Sequence, residues 1–153
     1  MNTEISPPSS GLQQKETALQ DFLKAFMHTP ASMRELQSLI EQQPDLLLGD
    51  HYWRTISQNG IDFNLPSDND GSIGNLIAFS RISNEREVLC AINLHTQDHT
   101  AVYVTLDDSM HLSGSKMNCL YASAASPQEL NVEDRNGKAV RLTVPPRGLV
   151  IYA

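Results

Sequence analysis

Two pairs of acidic residues lie close enough in the chain to suggest general acid/base chemistry, Glu85 with Glu87 and Asp107 with Asp108. A retaining glycosidase needs two carboxyl groups about 5–5.5 Å apart, one of them with a raised pKa. Glu85 and Glu87 alternate out of a strand pattern and share a face, whereas Asp107-Asp108 reads as a turn. Nothing in the surrounding pattern desolvates either pair, so no catalytic residue is assigned. His95 and His99 are four apart in a strand-to-turn region with no third ligand near them, and zinc needs three or four convergent ligands. Asp68-Asn69-Asp70-Gly71 invites a calcium reading. The EF-hand register fails, because Gly71 in the sixth position puts Pro66 first and Ile77 twelfth. A solvated turn is the simpler reading, although spacing alone leaves a calcium site of another kind open. No metal site is assigned, and no glycine-rich phosphate cradle or nucleophile elbow calls for a cofactor.

The strongest local cluster is His51-Tyr52-Trp53-Arg54, which holds the one tryptophan of the chain. Exposed aromatic rings offer flat apolar faces on which sugar rings stack. Tyr52, Trp53 and Arg54 are therefore candidate glycan-binding residues. The competing and preferred reading packs Trp53 or Tyr52 between a helical hairpin and a sheet. Tyr103, Tyr121 and Tyr152 fall on separate predicted strands, as packing residues do. Cys90 and Cys119 lie in apolar stretches without a neighbouring base, which suits buried reduced thiols better than a disulfide or a nucleophile.

These residues must be positioned by elements that a chain of 153 residues can build. That length suits one domain with a small appendage, and its core needs no metal or disulfide staple. A net charge of −7 argues against nucleic acid or an acidic membrane as partner. No apolar run reaches the roughly 18 residues that span a bilayer. The start lacks a basic, apolar leader, so a cytoplasmic protein is expected. Residues 1–13 are Pro/Ser/Gln-rich and read as a disordered tail. Residues 14–48 read as a helical hairpin. Leu19, Phe22, Leu23 and Phe26 form one helical stripe; Met33, Leu36, Leu39 and Ile40 form the next, which starts at Thr29-Pro30 and stops before Pro44.

From residue 49 onward the period changes. Eight strands are predicted: 51–57, 75–82, 86–94, 100–106, 117–122, 130–134, 138–144 and 148–152. Val88-Leu89-Cys90-Ala91-Ile92 is an unbroken apolar run that suits a central strand covered on both faces. Asn136-Gly137 supplies the positive φ angles of a hairpin turn. The class is mostly β, an antiparallel Greek-key sandwich of seven or eight strands over residues 49–153, preceded by the helical hairpin.

Four segments taken together resemble the α-amylase family of glycoside hydrolases, family 13. Residues 39–50 are similar to that family's last barrel helix and exit turn. Residues 77–81 and 86–93 are similar to the opening strands of its C-terminal domain, and 136–152 to its closing hairpin and final strand. The resemblance implies a Greek-key sandwich that packs against a catalytic barrel. It carries over no catalytic residue, because the family's acidic catalytic groups lie on the barrel, upstream of the matching region. About 32 residues before the match cannot hold a (β/α)8 barrel. A non-catalytic protein is therefore expected, with an apolar face that wants a second copy of itself or another protein partner. Its expected interface is the stripe Leu19, Phe22, Phe26, Met33 and Leu36, or the sheet face beside it. The alternative expectation is a stand-alone α-glucan-binding module centred on Trp53 and Tyr52.

Overall fold

The computed structural model describes residues 30–42, 49–65, 76–84, 86–93, 95 and 97–153. The expected tail, the first helix with Leu19, Phe22 and Phe26, and the Asp68–Gly71 turn lie outside the described residues. Helix α1 runs from Pro30 to Gln42. Proline suits the first helical position because its missing N–H would have no intrahelical acceptor. Pro44, two residues beyond the last turn, forbids continuation. Met33 and Leu36 lie on α1.

Ten strands follow: β1 (Asp50–Trp53), β2 (Ile56–Ser57), β3 (Leu76–Ser83), β4 (Arg86–Asn93), β5 (Thr100–Thr105), β6 (Lys116–Ala122), β7 (Glu129–Asn131), β8 (Glu133–Asp134), β9 (Lys138–Val144) and β10 (Leu149–Tyr152). They form a six-stranded sheet in the order β1-β3-β4-β10-β6-β7 and a four-stranded sheet in the order β2-β5-β9-β8, antiparallel throughout. The last strand returns between β4 and β6, the long-range return on which Greek-key topology is built.

Each of the eight predicted strands is present, and two of them are split. The first divides at Arg54-Thr55 into β1 in one sheet and β2 in the other. The sixth divides at Val132 into β7 and β8 in the same way. Such corners let one chain segment serve both layers. Thr55 fixes the first corner: its hydroxyl lies 2.8 Å from that of Thr105, and its carbonyl accepts the Thr105 N–H at 3.1 Å. At the β8–β9 hairpin, Asn136 and Gly137 take φ of 53° and 94°, the positive angles their types favour. The pairing of Asp134 with Lys138 leaves three residues in that connection, Arg135 to Gly137, as the predicted strand ends imply.

The core lies between the sheets. Ile56, Leu76, Ala78, Leu89, Ala91, Val102, Val104, Val140, Leu142, Val144, Val150 and Tyr152 pack there from both layers. A second cluster lies on the outer face of the six-stranded sheet, where Val88, Cys90, Ile92, Leu149 and Ile151 meet Leu39 of α1. β4 thus buries Leu89 and Ala91 on one side and Val88, Cys90 and Ile92 on the other, as its apolar run requires. Asn93 closes its end as a buried polar pin. Its amide donates to the carbonyls of Val144 (3.1 Å) and Asp98 (3.0 Å), and its oxygen accepts the His95 N–H at 3.0 Å. Among the described residues no helix is long and apolar enough to cross a membrane.

Truncating Leu89 to Ala removes a wholly buried side chain from the centre of this core. Denaturant unfolding should show a loss of about 2–5 kcal/mol, whereas Leu112→Ala on the exposed loop should stay within about 0.5 kcal/mol.

Candidate functional site: an aromatic strand edge above a buried carboxylate

β1 is an edge strand, and all four of its residues are exposed. Its register pairs Tyr52 with Ser80 and Trp53 with Phe79. Side chains alternate along a strand, so His51 and Trp53 share the outer face with Phe79, while Tyr52 faces the other way. Trp53 meets His51 edge-on at 4.7 Å between ring centroids, and His51 stacks on Phe79 at 5.0 Å. Trp53 is 54% exposed and Tyr52 44%. The expectation that one of them is packed away between helix and sheet does not describe this arrangement. The outer apolar cluster reaches Phe79 and leaves Trp53 at its margin.

Arg54 leaves the exposed strand and turns inward. Its guanidinium lies 5.6 Å from the centre of the Tyr52 ring, donates from Nε to Ser80 Oγ at 2.9 Å, and donates from Nη2 to Glu87 Oε2 at 2.8 Å. Glu87 is 3% exposed, in phase with Leu89 and Ala91 on the inward face of β4. Its Oε2 also accepts from Ser80 Oγ at 2.5 Å, and its Oε1 accepts from the Asp107 N–H at 3.0 Å and from His111 Nε2 at 2.7 Å. An ionised carboxylate only accepts, so the His111 hydrogen must sit on Nε2. One carboxylate thereby ties together the β1 exit, β3, β4 and the loop after β5.

Burial, the largest influence on Glu87, pushes its pKa up. The bonds from His111, Ser80 and the Asp107 N–H, with the Arg54 charge, outweigh it and hold the group below its ordinary value of 4.5. That direction is opposite to what a glycosidase's proton donor requires. Asp107 is also held low, first by the Ser109 hydroxyl, and Asp108 is an exposed partner of Lys138 at 3.5 Å. Glu85 lies outside the described residues. His95 Nδ1 accepts from the Gln97 and Asp98 N–H groups, and among the described residues no three His, Cys, Asp or Glu side chains converge on a metal position. Cys90 and Cys119 are free thiols, and burial pushes that of Cys90 up to about 12.

Sequence reasoning missed the Glu87 cage. Extending the alternation of Leu89 and Ala91 back by two residues would have placed Glu87 on the core side. Nothing local could pair it with Arg54, 33 residues earlier. Of the candidate binding residues, Tyr52 and Trp53 are presented to solvent on opposite faces of β1, and Arg54 is committed to Ser80 and Glu87.

The sandwich agrees with what the chain is similar to. The family model for the alpha amylase C-terminal all-beta domain matches residues 67–153, more than half of the chain, so the chain belongs to that family. Among solved structures, a debranching enzyme from Nostoc punctiforme is 20% identical over 80% of this chain, with a TM-score of 0.52. An alpha-amylase from H. orenii is 15% identical over 74%, with a TM-score of 0.42. The chain spans about one fifth of the length of these structures, 20% and 17% respectively. No curated protein sequence matches it.

Because the folded state holds Glu87 low, its contribution to stability is fully present above about pH 4.5 and is lost as pH falls through the depressed value. Glu87→Gln should flatten this acid limb of stability against pH relative to wild type. Glu87→Leu, which strands the Arg54 charge, should cost about 3–5 kcal/mol at neutral pH in denaturant melts.

Proposed function

We propose that this chain is a non-catalytic accessory module that works by contact, associating with a second copy of itself or with a protein partner of α-glucan metabolism. The observation that carries the reading is the edge of the six-stranded sheet, where β1 presents exposed aromatic side chains. Val88, Cys90, Ile92, Leu149 and Ile151 on the outer face are already buried together with Leu39 of α1, whereas Tyr52 and Trp53 of β1 stay exposed beside them. An edge strand that carries exposed aromatic side chains is a template for contact with another chain. The helical stripe that the sequence pattern gives, Leu19, Phe22, Phe26, Met33 and Leu36, is proposed as a further contact surface. Membership of the alpha amylase C-terminal domain family supports the link to α-glucan metabolism, as does the likeness to a debranching enzyme. The low-pKa, fully bonded Glu87 supports the absence of catalysis, and two free thiols fit a reducing cytoplasm.

Size-exclusion chromatography with light scattering over a wide concentration range tests the reading. A mass of twice the 17.0 kDa chain, or a complex with an α-amylase-family barrel stripped of its own sandwich, is expected. A strict monomer that ignores such a barrel contradicts it.

A second reading is favoured by one observation, the exposure of Trp53 and Tyr52. On this reading β1 is an α-glucan platform, with Arg54 anchored behind Tyr52. Maltoheptaose should then saturate a change in Trp53 emission, and Trp53→Ala should abolish the saturation. An emission spectrum indifferent to the sugar removes this reading.

A further inference from the structure

The chain contains two Asn-Gly dipeptides, Asn59-Gly60 and Asn136-Gly137, and the fold treats them in opposite ways. Asparagine is a thermolabile residue type, and a following glycine has no side chain to shield its backbone nitrogen from the neighbouring amide. At the first pair the amide and the attacking nitrogen are both held. Asn59 Oδ1 accepts from Ser57 Oγ at 2.9 Å and from the Ile61 and Asp62 N–H groups at 2.8 and 2.9 Å. Its Nδ2 donates to Asp62 Oδ2 at 2.9 Å, and the Gly60 N–H donates to Ser57 Oγ at 2.9 Å. Gly60 is buried, and a Cβ built on it would meet Arg135 Nη1 at 2.8 Å and the Tyr103 ring at 3.1 Å. The second pair lacks these restraints. Asn136 and Gly137 are both exposed at the tip of the β8–β9 hairpin, and the Asn136 side chain has no hydrogen-bond partner among the described residues. A Cβ on Gly137 would meet nothing closer than Asp108 Oδ1, at 3.4 Å. The Arg135 N–H closes the tip by donating to the Gly137 carbonyl at 2.8 Å, a bond that leaves the Gly137 nitrogen out.

We propose that Asn136 is a spontaneous modification site, at which the folded chain deamidates while Asn59 stays intact. The Gly137 nitrogen attacks Asn136 Cγ, the new C–N bond closes a five-membered succinimide, and the Cγ–Nδ2 bond breaks. Nδ2 leaves as ammonia with the proton that the Gly137 N–H gives up. Water then opens the ring at one of its two carbonyls, which leaves an aspartyl linkage in one case and an isoaspartyl linkage in the other. Reaching Cγ requires the turn to open from its φ of 53° at Asn136 and 94° at Gly137. A hairpin tip bordered by the two-residue β8 opens at a small fraction of the global unfolding free energy. The Asn59 loop must first break its bonds from Ser57, Ile61 and Asp62. The product adds one negative charge where Asp134 and Asp108 already share Lys138, at 3.0 and 3.5 Å. The isoaspartyl form also adds a main-chain carbon to a three-residue connection. The charge and backbone length of this hairpin therefore change as the molecule ages.

Peptide mapping by mass spectrometry, on the full chain aged in its folded state at mildly alkaline pH, tests the proposal. The peptide that holds Asn136 should gain one mass unit and accept methyl groups from an isoaspartyl methyltransferase. The peptide that holds Asn59 should react at least about tenfold more slowly in the same sample, since its turn opens less often. In concentrated urea, where neither turn persists, the two peptides should convert at similar rates. Asn136→Gln, whose longer amide closes a less favourable six-membered ring, should remove the early mass gain from the folded chain. Asn59 converting as fast as Asn136 in the folded chain overturns the proposal. So does an Asn136 that stays intact in the folded chain yet reacts in urea, or a mass gain that persists at the same rate in Asn136→Gln.

Discussion

A strand that is apolar on both faces cannot border water on either, and β4 imposes that constraint on everything around it. Its inward side is met by the four-stranded sheet, whose Val102, Val104, Leu142 and Val144 complete the sandwich core. Its outward side, Val88, Cys90 and Ile92, is met by β10 residues and by Leu39 of α1. The helix is thus more than an appendage. It brings apolar surface to a sheet face that would otherwise face solvent.

Polar residues set the limits of that apolar arrangement. Glu87 sits two residues before Leu89 on the core side of β4, where a lone charge would be costly. It is tolerated because four donors from three other segments complete its oxygens. Arg54 is the hinge of this arrangement, since it ends β1, holds Glu87 and stands behind Tyr52. The exposed aromatic edge and the buried carboxylate are therefore one unit, and the cage fixes where β1 leaves the sheet. Asn93 does the corresponding work at the other end of β4, bonding across to β9.

Strand periodicity made most of the sandwich legible. The Val88–Ile92 run marked the central strand, Asn136-Gly137 marked a turn with positive φ, and Pro44 bounded α1. The split strands escaped detection because a corner needs no special residue type: Arg54-Thr55 and Val132 continue the local pattern while the backbone changes sheet. The family likeness was carried by short segments, and the match over residues 67–153 agrees with it. The site was half legible. Tyr52 and Trp53 stood out by type, but whether they were covered depended on packing that the linear pattern does not encode. Arg54 reads in the sequence as a candidate binding residue beside Trp53, and its role follows from a partner in β4 that only the fold brings near.

Backbone hydrogen exchange, followed residue by residue at low and at high protein concentration, tests the account most directly. Amides of β4 should be protected at every concentration, being paired on both sides. Those of His51 and Trp53 should exchange freely when dilute and slow markedly as the chains associate. Fast exchange at His51 and Trp53 that ignores concentration, with no slowing elsewhere on the outer sheet, would contradict a module that works by contact.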